Sequence, residues 1–344
     1  MRPAEATALR PPSPVLAQKH LVRHRLVGLR EGEHGYEKTV EANRAQVDEV
    51  LSRYLPVHTL DMTPEELRKA RLSPYGRDNI NEIGNVLFAM PTLLRSRKER
   101  EAGQPETSFE RLLARIGYAR QVEGTFLPLS DNGRFVLGGS FGLVSTKAGF
   151  DDQTEQKVGL KIPTYEVHQV SAVSGPGIYT DYGNCLVIDE NVSGHIDCRF
   201  NIVDQAKVIY VAMGARPGTM KERPNPHKER TFAMLRRAAQ RHGYELRDYI
   251  VEDERIAEEV RDPKVQAVFD RFGTKLTIGY VHNGINFVTY RDHLFTSIIG
   301  HGERTYLESR GVKVVEVPLK FTYAGAGLRC TYGELTTQVE GQAT

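Results

Sequence analysis

The chain has 344 residues, 40% of them hydrophobic, and carries 46 Lys plus Arg against 44 Asp plus Glu for a net charge of +2. That balance gives no electrostatic reason to expect nucleic acid or an anionic membrane as partner, and the length suits one large domain or two ordinary ones. Three cysteines without close spacing, Cys185, Cys198 and Cys330, indicate neither a disulfide framework nor a zinc knuckle and suit a reducing compartment.

Met1-Arg-Pro-Ala-Glu-Ala-Thr-Ala-Leu-Arg-Pro-Pro-Ser-Pro14 has prolines and charge where a signal peptide needs a continuous apolar run. Residues 1–20 are therefore expected to form a disordered tail, followed by a single domain over 21–344. No run of some 18 apolar residues occurs, so no membrane span is expected and the cytoplasm is the expected location.

A helix is predicted from Lys38 to Tyr54, with Val40, Val47, Val50 and Leu51 near one face, leading into a strand over Leu55–Leu60. The arrangement recurs. Phe109, Leu112, Leu113 and Ile116 align at helical spacing, the helix stops at Gly117, and Tyr118–Val122 follows as a strand. A third copy runs from Lys228 to His242, stops at Gly243 and continues as Tyr244–Val251. A fourth runs from Glu303 to Arg310, stops at Gly311 and continues as the alternating Val312–Leu319. Further strands are predicted over Val136–Val144, Gly273–Val281 and Ile285–Tyr290. Helix–Gly–strand units at irregular spacing indicate a repeated α/β unit, with no dinucleotide-type glycine fingerprint after any strand.

Three segments carry chemistry. Arg77-Asp78 precedes the apolar strand predicted over Asn85–Met90, where a loop carboxylate can point into a pocket; the plainer expectation is a surface ion pair. In Gly194-His-Ile-Asp197, an extended backbone would send the side chains of His195 and Asp197 from the same face, placing a base beside an acid. Near the C-terminus, Gly325-Ala-Gly-Leu-Arg-Cys330 ends a glycine-rich turn in a cysteine, with Arg329 and Lys320 as local cations able to favour the thiolate.

Taken in order, Arg77-Asp78, Arg95-Ser-Arg97, His195-Ile-Asp197 with Phe200-Asn-Ile202, and Gly325 to Cys330 resemble the motifs of the amidinotransferase and arginine deiminase superfamily, the guanidino-modifying pentein enzymes. The match runs from about Asp78 to Glu334. The resemblance implies an α/β propeller of five ββαβ-like units around a pseudo-fivefold axis, with the active site at its centre. It implies that Cys330 attacks the guanidinium carbon to give a covalent amidino-cysteine, with His195 as general acid and base and Asp197 as its orienter. Asp78, with Arg77 and Arg329, would contact substrate. Carboxylates must hold a cationic, poorly electrophilic guanidinium while a proton reaches the departing amine. The implied substrate is a small guanidino compound such as arginine, with an amine as acceptor; no cofactor or metal is implied, and the family allows a homodimer.

One departure is visible. Deiminases carry an acid flanking a Gly-Gly strand, and here the run is Leu137-Gly-Gly-Ser140, with Asp131, Asp181, Asp189 and Glu190 as candidate substitutes. The motifs divide between two outcomes. His-Ile-Asp with Phe-Asn-Ile and Arg-Ser-Arg resemble amidinotransferases, whereas Leu-Arg-Cys resembles deiminases, which resolve the intermediate with water. Amidino transfer is the expectation, deiminase-type hydrolysis the alternative, and a noncatalytic pentein binding module a third. A metal hydrolase using His195 and Asp197 with His168 or His293 lacks a closed ligand spacing.

Overall fold

The computed structural model describes residues 16–28, 35–73, 75–83, 86–125, 135–137, 142–145, 178–182, 185–188, 197, 200–212, 284–320 and 327–339, together with 233, 236, 237, 239, 240, 243–261 and 263. Within these residues the strands form five small sheets. In the first, β1 (Leu16–Leu26) runs parallel to β2 (Val57–Met62) and antiparallel to the C-terminal β16 (Gly333–Val339). The second joins β3 (Ile80–Ile83), β4 (Val86–Ala89) and β5 (Gln121–Gly124); the third holds β6 (Phe135–Leu137), β7 (Gly142–Ser145), β8 (Ile178–Tyr182) and β9 (Cys185–Ile188). The fourth contains β10 (Phe200–Val203), β11 (Val208–Val211) and β12 (Glu245–Asp248), and the fifth β13 (Val288–Tyr290), β14 (His293–Thr296) and β15 (Lys313–Glu316).

One pairing rule repeats. In every sheet an antiparallel pair is extended by a parallel neighbour: β3–β4 then β5, β6–β7 then β9, β10–β11 then β12, β13–β14 then β15, and β16–β1 then β2. A parallel neighbour requires a crossover, and helices supply it. Helix α1 (Gly35–Leu51) joins β1 to β2, α3 (Arg97–Glu101) and α4 (Ser108–Arg115) join β4 to β5, and α6 (His301–Ser309) joins β14 to β15. Other helices among the described residues include α2 (Pro64–Lys69), α5 (Asp253–Val260) and α7 (Leu328–Thr331).

Local signals explain these elements. Thr107 caps α4, with Glu110 closing a capping box, and Phe109, Leu112 and Leu113 turn one stripe inward. Gly117, Gly243 and Gly311 end their helices at φ +65°, +76° and +79°, the left-handed geometry that favours glycine. The middle strands β4 and β11 are buried at every position, which is why they read as uninterrupted apolar runs, whereas β5 and β12 expose both ends.

Several expectations shift. Residues 16–20, expected to lie in the disordered tail, belong to β1, where Leu16 to Val22 pair with Val339 to Gly333. Alternation in Leu16–Leu26 is masked by its basic residues, of which His20, Arg23 and His24 are buried, Arg23 in ion pairs with Glu41 and Asp48. The strand predicted over Asn85–Met90 is the second strand of a hairpin whose first, β3, was not anticipated. The apolar run from Val136 to Val144 is two strands, β6 and β7, rather than one bent strand. The segment Gly273–Val281 lies outside the described residues. No helix among the described residues is long and apolar enough to cross a membrane.

Candidate active site

Closure of the first sheet by β16 positions the cysteine. Cys330 lies in α7, immediately before β16, and all four residues of α7 are buried. Cys330 is 6% exposed. A 3-10 turn over Gly76–Asn79 packs against the same corner. The approach is close: a Cβ on Gly76 would lie 2.5 Å from the Val22 carbonyl, 2.9 Å from Gly333 N and 3.0 Å from the Thr331 carbonyl. Only glycine admits this packing, and it brings Arg77 and Asp78 beside the cysteine-bearing helix.

Arg77 is 1% exposed. Its guanidinium forms an ion pair with the fully buried Asp197, and its Nε lies 3.7 Å from Asp78 Oδ1. The plainer expectation of a surface Arg77–Asp78 pair is thus corrected: Asp197, more than a hundred residues away in sequence, is the nearer partner. Asp78 keeps its side chain 20% exposed and accepts a hydrogen bond from Ser73 Oγ at 2.6 Å. Asp197 sits in a helical turn ahead of β10 and not on a strand; His195 lies outside the described residues.

Asn286 joins these groups. Its Nδ2 donates to Asp197 Oδ2 at 2.9 Å and to the Asp197 carbonyl at 3.2 Å, while its Oδ1 accepts from the Cys330 backbone N–H at 2.8 Å. The Asn286 carbonyl accepts from the Arg329 N–H at 3.0 Å. Asp197 Oδ2 is therefore engaged by Arg77 and Asn286, and Oδ1, buried, accepts no hydrogen bond from any described residue. A buried carboxylate oxygen left in that state carries a full desolvation cost, which a donor brought by substrate or by an imidazole would relieve.

Charge completes the site. Arg329, expected to contact substrate, is 8% exposed, and its Nε stands 3.6 Å from Glu334 Oε1. Lys19 Nζ lies 2.5 Å from Glu334 Oε2. Burial opposes ionisation of Glu334, but Lys19, Arg329 and Arg77 outweigh it and hold the carboxyl below its ordinary range. Lys19, Arg329 and Arg77 thus act on one carboxylate, Glu334, close to α7.

Other expected residues fall elsewhere. Ser96 caps α3, Arg95 pairs with Glu110 at 2.9 Å, and Arg97 pairs with Glu101 on the surface, so the Arg-Ser-Arg segment serves helix ends. His293 pairs with Asp292 at 2.7 Å, and no group of three His, Cys, Asp or Glu residues suited to a metal occurs among the described residues. Asp181 lies in β8 opposite Leu186, while Asp131, His168, Asp189, Glu190 and Gly138–Ser140 lie outside the described residues. Sequence reasoning missed Asn286, Gly76 and Glu334. A signal existed for Asn286: one amide between Ile285 and Phe287 is the kind of polar residue a core buries only with partners.

No family model matches the chain and no curated protein is similar to it in sequence. Solved structures do match. The apo structure of ArgZ, an arginine dihydrolase from the ornithine–ammonia cycle in cyanobacteria, superposes with TM-score 0.51 at 12% identity, over 95% of this chain and 41% of that one. Unliganded AgrE gives TM-score 0.50 at 12% identity, over 94% and 39%. The N-terminal domain of ArgZ, in a cysteine-to-serine variant bound to substrate, gives 0.50 at 10%, over 93% and 98%. The chain thus spans about two fifths of full-length ArgZ and AgrE and nearly all of the ArgZ N-terminal domain. By this likeness the chain carries the same fold as the ArgZ and AgrE structures.

Proposed function

We propose that the protein is a guanidino-modifying enzyme in which Cys330 is the nucleophile, Asp78 holds the cationic group and Asp197 orients the proton donor. The observation that carries the reading is the convergence, through Asn286, of a buried cysteine and a buried carboxylate with one oxygen open to a donor. The chain from β1 onward acts as one catalytic domain, its five sheets set around a pseudo-fivefold axis with the site at the centre. The Cys330 thiolate adds to the guanidinium carbon and the C–N bond to the leaving amine breaks. His195 supplies the proton to that nitrogen, oriented by Asp197. An acceptor then attacks the carbon and the C–S bond breaks, returning the thiolate.

The motif resemblance favours an amine as acceptor, giving amidino transfer from an arginine-type donor. Hydrolysis is the second reading, supported by the likeness to an arginine dihydrolase. The covalent species differ: transfer leaves only the amidino group on sulfur, whereas deiminase chemistry releases ammonia and leaves the remaining substrate attached. Intact-mass spectrometry after brief incubation with arginine and acid quench, beside Cys330→Ala, separates them. An amidino-sized gain on wild type alone supports transfer, and a gain of substrate less ammonia supports hydrolysis. No adduct with arginine, agmatine or other guanidino compounds, with Cys330 inert to iodoacetamide, sinks the enzymatic reading in favour of a binding module.

A further inference from the structure

The loop before β13 performs a task the motifs do not predict. Asn286 is 1% exposed and uses both ends of its amide: Nδ2 donates to the carboxylate and carbonyl of Asp197, and Oδ1 accepts from the Cys330 N–H. Its own carbonyl takes the Arg329 N–H. The strut is itself braced, since Asn201 Nδ2 donates to the carbonyls of Ile285 and Phe287 on either side, at 2.8 and 3.0 Å. Space for it is reserved by Gly327, where an added Cβ would lie 2.4 Å from Asn286 Cβ and 2.6 Å from its Oδ1.

From this geometry we infer that Asn286 is a positioning residue, setting the separation and orientation of Cys330 and Asp197. The inference deepens the proposed function and rests on it for the identity of the reaction. An amide suits the position because it donates to a carboxylate at one end and accepts from a backbone N–H at the other, which neither Asp nor Leu of similar size can do. A displacement of about 1 Å of the nucleophile or of Asp197 from its place at the reacting carbon costs on the order of a hundredfold in rate, so the strut acts on turnover.

The test uses Asn286→Ala, Asn286→Asp and, as a control in a core cluster that includes neither Asp197, Cys330 nor the neighbours of Asn286, Leu112→Ala. Guanidino turnover, thermal melting and the pH dependence of Cys330 alkylation by iodoacetamide are measured for each. Asn286→Ala should lower kcat by about a hundredfold with little change in KM, whereas Leu112→Ala at a comparable loss of melting temperature keeps its kcat. Asn286→Asp places a carboxylate beside Cys330 and should move the alkylation midpoint to higher pH. Should Asn286→Ala fail to fold, Gly327→Ala pushes a methyl into an unaltered Asn286 and should reproduce the loss of turnover. Wild-type kcat in Asn286→Ala or Gly327→Ala, or an unmoved midpoint in Asn286→Asp, overturns the inference. Movement of the midpoint in a protein that acts on no guanidino compound leaves the strut in place and removes only the proposed substrate.

Discussion

Arg77 and Asp197 form an ion pair sealed from solvent, 1% and 0% exposed, between a turn that follows the first sheet and the segment that leads into the fourth. Removing one partner of such a pair leaves an uncompensated buried charge. Arg77→Met should therefore destabilise the protein by about 3–5 kcal/mol in urea unfolding. Arg77→Met combined with Asp197→Asn should recover much of that loss. A double variant as unstable as the sum of the singles would show that the pair is not what couples them.

The proposed mechanism gives Asp197 a second task. With Oδ2 committed to Arg77 and Asn286, only Oδ1 remains to orient a proton donor. Asp197→Asn should lower kcat far more than it raises KM. Equal loss in both would assign Asp197 to uniform substrate binding instead.

Gly76 and Gly103 separate close packing from backbone conformation. Gly76→Ala drives a methyl into three backbone groups and should cost at least about 1–3 kcal/mol, with reduced Cys330 adduct formation as Arg77 and Asp78 move. Gly103 has φ +68° with nothing within 4 Å of an added Cβ, and its substitution should cost only about 1 kcal/mol. Thermal melts of both variants check the order.

The first sheet should be acid-sensitive. His24 is 1% exposed, neither ring nitrogen has a partner among the described residues, and burial, aided by Arg44 and Arg23, pushes it down to about 4. His58 is likewise pushed to about 4, by burial first and then by His20 and Arg115. The unfolded chain takes up these protons first as pH falls below about 6.5, so stability is full above that value and declines as pH falls toward about 4. For His24 alone the decline is on the order of 3 kcal/mol. His24→Leu should flatten that limb in urea midpoints measured across the window; an unchanged slope would show that His24 is not its source.

Local chemistry in the chain determined most of the elements. Helical spacing in 108–115, glycines at 117, 243 and 311, and apolar runs at 86–89 and 208–211 each act within a few residues of themselves, so α4, the helix stops and the middle strands were legible. The candidate nucleophile and the acids were legible as residue types in a familiar order. Their arrangement was not. That Leu16–Leu26 is a strand depended on β16, more than three hundred residues later, supplying its partner. That Arg77 meets Asp197, and that Asn286 spans Asp197 and Cys330, depended on four segments far apart in the chain converging on one corner. Periodicity records which face of an element is buried, but the choice of partner for a buried polar group is made by tertiary packing, because only packing removes the water that would otherwise satisfy it.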